Sequence, residues 1–327
     1  MRVMRLPLEE AQGHLLLHNV VDADGRHLLR KGIRLGPDTL ERLRELGHTH
    51  VEVAILEPQD IWEDEAAREL AQALERPELA LSRGVGGRVN LYTVVHGVLY
   101  VDAERLEALN RLPGITLATA PQHAIVHPER GENRIATLKI IPYAIPRPRL
   151  QQALALVQEP RPLLEVRPLT PQRWALLVTG DPAAHVRLRR QFEPPTRERL
   201  LRLNSELSTV VAVPLDEGSV AQAAAELLRA HHGLILVGQT SIMDPADLPL
   251  RGLQAIGAQV AVYGAPVDPG NLLAVAYLGD TPILCAPGCA RSPGHNVVDL
   301  VLPRLLTGDR LDQAQIAALG LGGLLRR

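Results

Sequence analysis

The chain reads as an α/β protein whose C-terminal half is built on a mostly parallel sheet, preceded by smaller mixed α and β units. Three observations predict this. The run Leu234-Ile235-Leu236-Val237 is short and wholly apolar, as in a strand buried on both faces. Before it, Val220, Ala223, Ala224, Leu227 and Leu228 recur at helical spacing, and Val210–Val213 supplies a strand before that. Strand, helix and strand in about thirty residues make a βαβ unit, whose crossover is right-handed. Finally, Gly238-Gln239-Thr240-Ser241-Ile242-Met243-Asp244-Pro245-Ala246-Asp247 leaves the C-terminal end of the apolar strand. In open α/β sheets that edge collects ligands.

Composition narrows the function classes. Among 327 residues, 35 are basic and 37 acidic, for a formal charge of -2. That balance gives no concentrated positive field for nucleic acid or an anionic membrane. Cys285 and Cys289 are the two cysteines, too few for a disulfide framework or a zinc site. No apolar window reaches membrane-spanning length and the N-terminus lacks a signal-peptide core, so a cytoplasmic protein is expected.

In chain order, residues 1–82 form a small α+β domain. Apolar runs either side of Asp22-Ala23-Asp24-Gly25 suggest a hairpin. Pro37 and Asp38 open a helix with Leu40, Leu43 and Leu46 on one face, closed by Gly47. Val51–Ile55 alternates as a strand, and a charged helix is expected from Asp60 through Leu81, with Glu63, Asp64, Glu65, Arg68 and Glu69 outward. Gly84-Val85-Gly86-Gly87 lacks the Lys-Ser/Thr of a phosphate loop and reads as a flexible joint. Residues 88–145 form a β-rich accessory domain with a helix over Ala103–Leu112. Prolines crowd residues 146–167, which reads as a linker around a helical stretch, Leu150–Val157.

The domain of residues 168–310 follows. Trp174–Val178 is a strand ending in Thr179-Gly180-Asp181, and a helix runs over Thr196–Leu207 after a break at Pro194-Pro195. Ser219 caps the next helix, which Gly233 ends. Leu248–Ile256 is a helix, Gln259–Tyr263 a strand, and Leu272–Tyr277 with Pro282–Ala286 a hairpin. Asn296–Leu306 is the last strong helix, and residues 311–327 form a leucine-rich tail suited to packing or dimer formation. Three strands thus end in turn chemistry, at Gly180-Asp181, Gly238 to Asp247, and Pro287-Gly288. Parallel strands would bring these loops together, offering backbone amides for a phosphate and Asp181, Asp244 and Asp247 as oxygen ligands for Mg²⁺.

These residues, in this order, resemble the molybdopterin-binding domain shared by molybdopterin adenylyltransferase, molybdopterin molybdenumtransferase and gephyrin. The carriers are Val178-Thr179-Gly180-Asp181, Gly238 to Asp244, Val267-Asp268-Pro269-Gly270-Asn271 and Ala286-Pro287-Gly288-Cys289. The resemblance covers about residues 168 to 310. It implies a three-layer α/β/α fold, molybdopterin or its adenylylated form as ligand, and Mg²⁺. It assigns Gly180, Gly238, Thr240, Ser241, Pro269, Gly270, Pro287 and Gly288 to ligand binding, and Asp181 and Asp244 to catalysis. With Asp247, those two aspartates form the metal set. It also implies a homo-oligomer, with a nucleotide, a molybdoenzyme or another cofactor-biosynthesis protein as further partners. Gln239 stands where the family has its second glycine, and Asn271 where molybdenumtransferases carry lysine. The function the resemblance implies is a step of molybdenum cofactor biosynthesis, molybdenum insertion or nucleotidyl transfer on molybdopterin; those departures suit the alternative, a carrier that keeps the pocket without the chemistry.

Overall fold

A computed structural model of the chain describes residues 1–325 other than Ala23, Arg130 and Glu132. Ala23 of the expected turn and residues 326 and 327 of the tail therefore lie outside the described residues. The chain forms two compact units, Met1–Val166 and Arg167–Arg327.

In the N-terminal unit, strand Arg2–Pro7 pairs antiparallel with His50–Ile55, which also pairs with Leu15–Leu16. Helix Pro37–Glu45 adds Leu40 and Leu43 to a small core with Leu6, Leu16 and Val53. Gly47 follows the helix at φ +82°, the left-handed conformation that a glycine adopts without strain. The hairpin of Val20–Val21 and His27–Leu29 forms where expected.

A second core runs from Ile61 to Val166 and corrects three expectations. The long charged helix is only Glu63–Ala73, because Asp60–Trp62 pairs with Ala144–Pro146 and Leu79–Leu81 pairs with Leu91–Thr93. Glu63 faces inward, 7% exposed, and meets Lys139 Nζ at 3.1 Å. Asp64 accepts a 2.6 Å hydrogen bond from the Gly87 amide. The glycine segment is not a joint but a turn within one sheet, closed by reciprocal Val85 and Arg88 backbone bonds. A Cβ at Gly87 would lie 2.6 Å from the Ile140 carbonyl, so only glycine fits there. Residues expected as linker carry helix Arg147–Val157, which buries Leu150, Ala153 and Val157, and strand Leu164–Pro168. Prolines at its start suit that helix, since the first-turn amides have no intrahelical partner.

The C-terminal unit contains, in order, β1 (Arg173–Thr179), α1 (His185–Arg202), β2 (Glu206–Val213), α2 (Glu217–Leu228), β3 (Gly233–Gly238), α3 (Leu248–Ala255), β4 (Gln259–Tyr263), β5 (Ala274–Leu278), β6 (Thr281–Cys285), α4 (Val297–Leu306) and α5 (Gln313–Ala317). One six-stranded sheet has the order β2-β1-β3-β6-β5-β4. Strands β2, β1, β3 and β6 are parallel, and β5 runs against both neighbours. The expected βαβ unit differs in one respect: β2 and β3 are parallel but not adjacent, because β1 lies between them.

Coverage of both faces follows from β1. Ala175 and Leu177 pack with α2 and α3 residues such as Val220, Leu227 and Leu253. Leu176 and Val178 point the other way and are equally buried. Burying such a side chain is worth about 1.5–3 kcal/mol, so the apolar run makes β1 a central strand. Gly233 begins β3 rather than ending α2, because it lies opposite Trp174 and a Cβ there would sit 2.5 Å from the indole.

Helix α1 overrides the expected break at Pro194-Pro195. Its buried side, including Leu188, Phe192, Thr196 and Leu200, continues past the prolines. Glu193 also bridges them, accepting from Arg189 at 3.2 Å on one side and Arg197 at 2.9 Å on the other. Those two guanidiniums, above all Arg197, hold the Glu193 carboxyl below its ordinary range. At α2 the cap is Asp216, which accepts from the Ser219 amide at 2.9 Å; Ser219 lies inside the helix. The tail folds back on its own unit, with Leu311 and Ile316 buried and Leu324 bridging Asp268.

Candidate functional site

Chain order creates a switch point. From β1 the chain passes to β2 on one side, then returns to β3 on the other. Successive crossovers leaving in opposite directions open a crevice at the C-terminal ends of β1 and β3, where open α/β sheets hold ligands.

The loops at those ends are tied together. The Asp181 amide donates to Gln239 Oε1 at 3.0 Å, and the Gln239 amide donates to the Thr179 carbonyl at 2.9 Å. Gly180 is required by this closeness: a Cβ would lie 2.8 Å from Leu188 Cδ1 and 3.1 Å from Gln239 Oε1. Gly238 is equally confined, with the buried Thr179 Oγ1 2.6 Å from a would-be Cβ. His185 Nε2 stands 3.0 Å from the Gly180 carbonyl and 3.1 Å from that of Val213, so it joins the ends of β1 and β2.

The β6 loop reaches the same edge. Ser241 Oγ lies 3.5 Å from where a Cβ on Gly288 would be. Pro287 is buried and starts a short 3-10 turn, Gly288–Arg291, in which Arg291 Nε donates to the Gly288 carbonyl at 2.9 Å. Pro269 and Gly270 join through the start of α4, where the Val297 amide donates to the Pro269 carbonyl at 3.2 Å. Asn296, which caps α4, donates to the Cys289 carbonyl at 3.3 Å.

The structure thus ties Gly180 to the Gly238-Gln239 loop, sets Ser241 near Gly288, and ties the loop after Pro287 to Pro269 and Gly270 through the start of α4, with Thr240 exposed. Asp244 and Asp247 lie further out on the loop. Asp247 Oδ2 accepts from the amides of Met243 at 2.6 Å and Asp244 at 3.1 Å; Asp244 Oδ1 accepts from Ala246 at 2.8 Å. Asp247 begins α3 but its carboxylate bonds backward into the loop, making no side-chain cap to the helix. Asp181 Oδ1 closes its own turn on the Ala183 amide at 2.8 Å. Among the described residues no three His, Cys, Asp or Glu side chains converge as a metal site. Asp181, Asp244 and Asp247 each accept a loop amide through one carboxylate oxygen.

Two residues that shape the site carry no signal at the sequence level. Gln239 reads there as a lost glycine and is instead the tie between loops. Arg199 is 3% exposed and grips the β6 loop, donating to the carbonyls of Ala290 at 2.9 Å, Ser292 at 2.8 Å and Gly294 at 3.2 Å. The spacing Asn296-x-x-Asp299 is a capping pattern legible in the chain, and both reciprocal bonds are present. Burial pushes the Cys289 thiol up despite the nearby Arg199 charge, which keeps it protonated at neutral pH. A separate cleft of about 520 Å³ lies at the opposite edge of the sheet, between His231, His232, Tyr277 and Arg310. It contains none of the residues expected to bind ligand.

A family model described as a domain of unknown function (DUF8806) matches residues 5–55. No curated protein matches the chain. Among solved structures the chain is similar to a molybdenum cofactor biosynthesis protein from Pyrococcus furiosus, at 12% identity and a TM-score of 0.25, over 97% of this chain and 65% of that one. It is also similar to molybdopterin biosynthesis moeA proteins from Pyrococcus horikoshii. One has 13% identity and a TM-score of 0.32, over 97% and 77% of the two chains. The other has 10% identity and a TM-score of 0.27, over 96% and 76%. The likenesses are remote, and the chain spans 65% of the length of the Pyrococcus furiosus protein. Among the described residues no helix is long and apolar enough to cross a membrane.

Proposed function

We propose that the C-terminal unit binds molybdopterin, or its adenylylated form, at the crevice between β1 and β3, and that the protein acts in molybdenum cofactor biosynthesis. The observation that carries this reading is the tie between Asp181 and Gln239, with Ser241 meeting Gly288 beside it. It joins at a switch point the same segments that resemble the molybdopterin-binding domain. Thr240 and Ser241 supply hydroxyls, and the turn after Pro287 supplies amides, for the pterin phosphate.

The site favours binding over turnover. The carboxylates of Asp181, Asp244 and Asp247 already accept loop amides, and Asn271 puts no cation in its loop. A carrier that holds the cofactor and hands it on to a molybdoenzyme fits this arrangement; a molybdenumtransferase or adenylyltransferase is the second reading. A homo-oligomer belongs to either reading.

Titration calorimetry with molybdopterin tests the pocket. Micromolar or tighter binding by the full chain, weakened about a hundredfold or more in Thr240→Ala/Ser241→Ala, supports the reading, since each lost hydrogen bond to a charged group is worth about 1.5–3 kcal/mol. No binding, or equal binding by the variant, overturns it. If Asp244→Ala then abolishes turnover with affinity retained, the carrier reading fails.

A further inference from the structure

The N-terminal unit holds a cleft of about 570 Å³ that plays no part in the site above. It lies between helix Glu63–Ala73 and the turn joining Leu79–Leu81 to Arg88–Thr93. Its floor is apolar: Ala71 and Val89 are buried, and Leu81 is partly so. Val85 lines the cleft and is 70% exposed.

The walls are held in place. The Gly87 amide bonds Asp64, and Lys139 bonds both Glu63 and the Gly86 carbonyl. Ser82 Oγ accepts from the Asn90 amide at 2.9 Å. The glycine turn is therefore a fixed wall. Above the floor stand Arg68 and Arg83, both exposed, and among the described residues neither makes an ion pair. Asp64 is the only carboxylate in the lining, and its Oδ1 is engaged by Gly87.

We propose that this cleft binds a small organic anion with an apolar body, its carboxylate or phosphate head between Arg68 and Arg83 and its body against Leu81, Val85 and Val89. The cleft is of small-molecule size, with an apolar floor ringed by the polar side chains of Asp64, Arg68, Gln72, Ser82 and Arg83. Two guanidiniums without internal carboxylate partners supply planar, bidentate donors suited to such a head. Two arginines over a closed floor are too few and too local to track a nucleic-acid backbone.

The test uses the full chain and the fluorophore 8-anilinonaphthalene-1-sulfonate, which combines apolar rings with one anionic head. Binding in one saturable class is expected, displaced by octanoate or by octyl phosphate; whichever displaces at lower concentration identifies the head. Arg68→Gln/Arg83→Gln weakens binding about tenfold with an unchanged circular dichroism spectrum, because charge-assisted bonds are lost. Val85→Asp abolishes it by placing a carboxylate at the mouth. Arg42→Gln/Arg44→Gln removes equal charge from another helix of the same unit and leaves affinity within about twofold, as screened, distant surface charges should. Failure to saturate, failure of both competitors to displace, or equal weakening by the two double variants overturns the proposal.

Discussion

Arg199 and Asp299 lock the loop after β6. The guanidinium donates from Nε to Asp299 Oδ1 at 3.0 Å and from Nη2 to Oδ2 at 3.2 Å, while Nη1 reaches the Ala290 carbonyl and Nη2 also those of Ser292 and Gly294. Asp299 in turn accepts from the Asn296 amide at 3.0 Å, so one pair connects α1, the loop and the start of α4. Because Arg199 is buried, nothing replaces its bonds if it is lost. Arg199→Leu is expected to destabilise the chain by about 3–5 kcal/mol in urea unfolding, the usual cost of breaking a buried pair from one side. Asp299→Asn keeps the shape and one acceptor and should cost less. Equal, small losses in both variants would show the pair to be incidental.

Gln239 predicts a local effect. Gln239→Ala frees the Asp181 amide and removes one hydrogen bond at an exposed site, worth about 1 kcal/mol. Hydrogen exchange at Asp181 should then accelerate, with the central amides of β1 unchanged. Unchanged exchange at Asp181 would mean that the loops are joined by something other than this side chain.

Which features were legible follows from the interactions that produce them. The strands of the C-terminal sheet and helices α2, α3 and α4 were visible because burial on a fixed face imposes period on sequence, as in Val220 to Leu228. The glycines of the site were visible because close approach of backbone leaves no alternative residue, as at Gly180. Long-range compensation was not visible. Pro194-Pro195 ought to stop a helix, yet Glu193 and a continuous buried side carry α1 across them. Asp60–Trp62 and Leu79–Leu81 read as helix until partners distant in sequence, Ala144–Pro146 and Leu91–Thr93, claimed them. The aspartates show the same limit: spacing marks a carboxylate, but only the folded loop shows which amides it accepts.

Gly270 and Gly279 separate two costs of a side chain. Both have positive φ, +141° and +60°, but only Gly270 is crowded, with Val297 Cβ 2.3 Å from a would-be Cβ. Gly279→Ala meets no atom within 4 Å and should cost about 1 kcal/mol for the conformation alone. Gly270→Ala must also push Val297 and the start of α4, adding about 1–3 kcal/mol. Thermal unfolding of the two variants tests the difference. A Gly270→Ala protein as stable as Gly279→Ala would mean that the 267–271 segment is not packed on α4 as described.

The two cysteines predict a pH dependence of known sign. Cys285 is fully buried, and burial pushes its thiol from 9.0 to about 12; in the unfolded chain no such burial acts. Between those values the unfolded chain releases a proton that the folded chain keeps. Stability is therefore fully present below pH 9 and declines as pH rises from there toward about 12. Tyr277, also pushed up mainly by burial, adds to the decline, so the contribution of Cys285 is read by comparison. Cys285→Ala should lose some packing stability at every pH, yet its urea midpoint should fall less steeply above pH 9 than that of the parent chain. Identical slopes would show that Cys285 is not the group linked to folding. Iodoacetamide labelling at neutral pH gives the kinetic counterpart. Cys289, half-buried and pushed up, should react more slowly than a free thiol, while Cys285 should stay unmodified until the chain unfolds. Fast labelling of Cys289 would mean that the β6 loop opens readily, and Arg199→Leu should make that happen by releasing the loop carbonyls.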